Sequence, residues 1–85
     1  MDVHVKAARA KQILEDDVFK EALNMVLSEQ VGVFTHSTSS EEEIMEAHRM
    51  VRALTQLKGY LQSFVDNGKL LEKRQNKGRH RVNHD

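Results

Sequence analysis

Five histidines, a cluster of four glutamates and six basic side chains near the carboxyl end are the groups on which chemistry in this chain would draw. The histidines are His4, His36, His48, His80 and His84. A di-metal site in a helical bundle asks for glutamate three residues before an inward histidine. Met45 holds that position before His48, so the motif is missing. His80 and His84 are spaced for one helical face of a zinc site, but no third ligand lies near them in the sequence. Glu41, Glu42, Glu43 and Glu46 would serve acid–base chemistry only if burial drove their pKa values apart. At a helix start, capping and the dipole account for them. A serine or threonine beside a convincing base, a glycine-rich phosphate loop and a dinucleotide fingerprint are all lacking. The expectation is a protein that is not an enzyme, with no metal and no cofactor.

The basic cluster is Lys69, Lys73, Arg74, Lys77, Arg79 and Arg81. Such a run neutralises phosphates, with strong salt dependence, or docks on an acidic protein surface. No aromatic side chain is interleaved to stack on bases. Net charge is zero, yet residues 1–35 and 36–66 each carry −2 while residues 67–85 carry +4. An acidic body with a basic tail is the main electrostatic feature.

The 85 residues make one domain near the size at which a core needs help. There is no cysteine, proline or tryptophan, and there are four aromatics in all, a composition suited to helices rather than sheets. No apolar run approaches the ~20 residues of a membrane span. The amino end lacks the apolar stretch of a signal peptide. No membrane partner is expected, and a cytoplasmic location is the default expectation.

Periodicity begins with Val3, Ala7, Ala10, Ile13 and Leu14 and is interrupted by Glu15-Asp16-Asp17. Asp16 or Asp17 suits the N-cap of a second helix with Val18, Phe19, Ala22, Leu23, Val26 and Leu27 on its inner stripe, running to about 31–34. The hydroxyl-rich link Thr35-His36-Ser37-Thr38-Ser39 is short, so the flanking helices should be antiparallel neighbours. Ser39 and Ser40, each followed three residues on by Glu42 and Glu43, mark the start of a third helix as capping boxes. Asp66-Asn67-Gly68 is the expected end of a helix of roughly 27 residues, about 40 Å long. Along it Ile44, Ala47, Val51, Leu54, Leu61 and Val65 repeat at alternating three and four, with Lys58 in one inward register. Met50, Leu57 and Phe64 lie beside that stripe, making the apolar face wider than a two-helix seam requires. Gly59 is the expected point of close approach by another helix, with the first as candidate.

The stretch from Ala8 to Ala22 (Ala-Arg-Ala-Lys-Gln-Ile-Leu-Glu-Asp-Asp-Val-Phe-Lys-Glu-Ala), the hydroxyl-rich loop, and the run from Met50-Val51-Arg52-Ala53-Leu54 through Leu57-Lys58-Gly59-Tyr60-Leu61 into Asp66-Asn67-Gly68-Lys69-Leu70 carry a resemblance. Over residues 7–72 the chain resembles a family of small phage-encoded helical proteins found among virion-assembly genes. Asp17 stands where that family commonly has proline, and Val33-Phe34 replaces a more polar helix end. The likeness implies an accessory protein touching capsid, portal or tail proteins.

The reading is all-α: a short N-terminal helix, an antiparallel helical hairpin within residues 1–68, and a basic tail over residues 69–85. The expected function is structural, through self-association or docking on larger phage proteins. Ile44, Met50, Val51, Leu54, Leu57, Leu61 and Phe64 form the expected contact surface. The alternatives are a nucleic-acid-associated packaging or regulatory protein using the tail, and a host-directed inhibitor.

Overall fold

Local capping divides the chain into three helices. In the computed structural model, which describes residues 1–84 with side chains through residue 75, the helices are α1 (Val3–Glu15), α2 (Asp17–Thr35) and α3 (Glu41–His84). The fold is all-α, with no strand among the described residues. The Asp2 carboxylate starts α1 by accepting from the His4 N–H at 2.7 Å. Asp16, alone in extended backbone (φ −68°, ψ 125°), both ends α1 and caps α2, accepting from the Phe19 N–H at 2.8 Å. Asp17 is therefore the first residue of α2.

Of the two expected capping boxes, the one at Ser40 forms. The Glu43 N–H donates to Ser40 Oγ at 3.1 Å, and the Ser40 N–H donates to the Glu43 carboxylate at 3.2 Å. Four orphan N–H groups open any helix, and this reciprocal pair satisfies the first and the last of them, at Ser40 and Glu43. His36 organises the loop itself: its Nδ1 lies 3.3 Å from the Thr38 backbone nitrogen and 2.7 Å from the Thr38 hydroxyl.

The expected stop at Asp66-Asn67-Gly68 does not occur. α3 continues to His84, and no glycine among the described residues has a positive φ. Gly68 is instead a buried residue in the helix interior. A Cβ placed on it would collide with the Cβ of Ala7, so the missing side chain is what lets α1 seat on α3. Gly59, the expected point of approach, has open space around it. The first helix does meet a glycine of the third, two and a half turns further on.

α1 and α2 lie in succession against α3. Ala7 and Val3 meet Gly68, Phe19 at the start of α2 lines a groove with Leu61 and Phe64, and Val33 near its end shares a depression with Glu43. The chain thus runs back along α3 in antiparallel fashion, with α1 as the broken-off first part of that arm. The molecule measures 70 × 23 × 21 Å, and its radius of gyration of 19.4 Å far exceeds the ~12 Å of a compact chain this long. The 44 residues of α3, about 66 Å at 1.5 Å each, set the long axis. Past Gln75 the side chains of the basic cluster, including Lys77, Arg79 and Arg81, lie outside the described residues. So does most of the segment expected to be mobile from Arg74 onward.

Very little is fully covered. The buried apolar residues are Ala10, Ala47 and Val65, all modest in size. The solvent-accessible surface is 7122 Å², against about 5,200 Å² for a compact monomer of this mass.

Candidate interaction surface

The contact surface divides between two stripes of α3 that differ by one residue in register. The inner seam is Ala47, Val51, Leu54, Leu61, Val65 and Gly68, spaced at alternating three and four with Lys58 in the gap. All six are buried or half-buried, against α2 at one end and α1 at the other. Gly68 continues this series from Val65, and that register was the signal in the sequence that it belongs to the packed interior. Lys58 occupies a seam position yet is exposed, as its charged head requires. Ile44, at the start of the series, is 38% exposed.

The outer seam is Met50, Ala53, Leu57, Tyr60 and Phe64, each one residue before an inner-seam position. One residue is a rotation of about 100° around a helix, so this is a second face rather than a broadened first one. Its spacing is again three and four. Met50, Leu57 and Tyr60 are exposed at 42%, 49% and 57%. Ala53 and Tyr60 were absent from the expected surface, although the shifted repeat was present in the sequence. Of the expected contact residues, then, Val51, Leu54 and Leu61 are spent inside the chain, Phe64 is half-covered, and Ile44, Met50 and Leu57 remain outside.

α2 repeats this arrangement. Its half-buried positions are Phe19, Leu23, Val26, Leu27, Gln30 and Val33; leaving aside Leu27, which adjoins Val26 on the other flank, the residues one before them are Val18, Ala22, Met25, Glu29 and Gly32. Val18 and Ala22, expected on the inner stripe, are exposed, and Met25 joins them outside. Shifting back one residue turns antiparallel helices toward the same side of the pair. The outer stripes of α2 and α3 therefore form one continuous, largely apolar face. The opposite flank of α3 is polar: His48, Arg52, Thr55, Gly59, Gln62 and Asp66.

α1 confirms the handedness. Lys6, Arg9 and Ile13, one residue before Ala7, Ala10 and Leu14, line an open groove of about 700 Å³ together with Phe64 and Leu61. The Lys6 ammonium sits 4.8 Å from the centroid of the Phe64 ring, a cation–π contact that half-covers it. The outer face thus ends in a basic rim.

The chain matches no protein-family model, no curated protein and no solved structure. Function must be argued from the surface alone.

Charge is arranged along the rod. Glu41, Glu42, Glu43 and Glu46 cluster where α3 begins, and the exposed Lys69, Lys73 and Arg74 lie beyond Gly68. Glu46 makes an exposed ion pair with Arg49 at 3.2 Å, of the kind that contributes little by itself. No three metal-ligating side chains come together among the described residues, and no helix is long and apolar enough to cross a membrane. His80 and His84 lie outside the described side chains.

Proposed function

We propose that this chain works by contact rather than by catalysis: it is a structural or accessory protein whose outer face is covered by a helix of another subunit in a larger assembly. The observation behind this reading is the outer seam. A three-four repeat of Met50, Ala53, Leu57, Tyr60 and Phe64 has the period of a helix–helix contact, and all of it but Phe64, which Lys6 of α1 half-covers, stands exposed. The resemblance in the sequence supplies the setting, a phage particle or its assembly, with capsid, portal or tail proteins as the larger partners.

Co-purification tests it. The tagged full-length chain should travel with intact phage particles through a density gradient, and Leu57→Glu should release it without loss of helicity. A parent chain that stays at the top of the gradient would refute the particle setting. Retention on nucleic acid at ~150 mM salt, abolished by charge reversal at Lys69, Lys73 and Arg74, would favour the packaging alternative instead.

A further inference from the structure

We infer that the outer face is an antiparallel self-association surface, on which a second copy of this chain lays its own α3. The inference rests on the contact reading above and names the partner.

Three observations select a second copy in this orientation. The outer seam has the period of a helical partner, and it stands about 100° around α3 from the inner seam. In four-helix bundles each helix meets its neighbours on two such adjacent faces. Two hairpins joined through these faces make a four-helix arrangement in which α2 contributes Val18, Ala22 and Met25 alongside.

The seam is also complementary to itself when reversed. About a dyad between Ala53 and Leu57, those two residues face each other, small against large, Met50 faces Tyr60, and Glu46 faces Phe64. This alternation lets side chains interdigitate without a void.

Charge decides the direction. Phe64 carries Lys6 over its ring and has Arg9 beside it in the same groove, so the antiparallel register brings Glu46 of one copy to the basic rim of the other. A parallel pair would stack Glu41, Glu42 and Glu43 on their own counterparts, and such like-charge juxtaposition is strongly disfavoured.

The full-length chain should sediment at twice its 9.8 kDa mass in the tens of micromolar range. Leu57→Glu should return it to a single chain with its far-UV helical signal intact. Arg9→Glu and Glu46→Arg, both exposed sites, should each weaken the dimer at least about tenfold, and the double variant should restore it. The chain contains no cysteine, so introduced thiols report alone. A mixture of Ala53→Cys and Leu57→Cys chains should form the mixed disulfide in preference to either homodisulfide. A preferred Ala53→Cys homodisulfide, a dimer indifferent to Leu57→Glu, or a charge swap without rescue each overturns the arrangement. A monomer whose Leu57→Glu variant leaves phage particles overturns the self-pair and sustains the contact reading. A monomer whose outer-face variants stay on particles overturns both.

Discussion

The two seams of α3 share a helix, a period and nearly a composition, yet one is interior and the other is wet. Leu61 is half-buried against α1 and α2, whereas Leu57, one turn away, is 49% exposed. Periodicity therefore identifies surfaces that want a helical neighbour without saying whether the neighbour belongs to the same chain. A hairpin supplies one neighbour to each helix. The second stripe is what distinguishes this chain from a self-sufficient pair.

Charge at the two seams should separate them most sharply. Leu61→Asp puts a carboxylate where α1, α2 and α3 converge and should unfold the protein, since Leu→Ala alone in a core costs roughly 2–5 kcal/mol and the charge adds desolvation. Circular dichroism would show the loss of helix, and a cooperative melt like the parent's would displace Leu61 from the interior.

Next in size is Gly68→Ala. The added methyl meets the Cβ of Ala7 and forces α1 off its seat, an overpacking cost of about 1–3 kcal/mol in urea denaturation. Ser40→Ala removes the acceptor that holds the Glu43 N–H and should cost ~1 kcal/mol by the same measurement.

Gly59→Ala should do the opposite of Gly68→Ala. Nothing stands near that position, so the alanine gains up to ~1 kcal/mol of helix propensity. Equal signs for the two glycines would contradict the seating of α1 described here. Smallest of all, Leu57→Asp should change the stability of the dilute single chain by no more than ~0.5 kcal/mol, because Leu57 stands on the exposed stretch of the outer seam. A large loss there would mean that Leu57 is core.

Much of this architecture was readable from local chemistry. Asp16 and the Ser40–Glu43 pair mark helix starts through side-chain bonds spanning three residues, so their context is almost wholly in the sequence. The inner seam was readable too, as far as Val65. Val18 and Ala22 were not, because an apolar residue near a helix stripe is assigned to a face only once the partner's direction is known. Ala53 and Tyr60 escaped for a related reason: a small side chain and a phenol are weak apolar markers until Met50, Leu57 and Phe64 frame them.

The sequence by itself determined the helices, their caps and the antiparallel return, since each depends on contacts within a few residues or on a short link. Tertiary structure alone decided the roles of the glycines. Asp-Asn-Gly is chemically competent to end a helix, and only the arrival of Ala7 makes a straight, glycine-floored α3 the better outcome at residue 68. Local energies at such a site are nearly balanced, so a distant helix that needs close approach tips the choice.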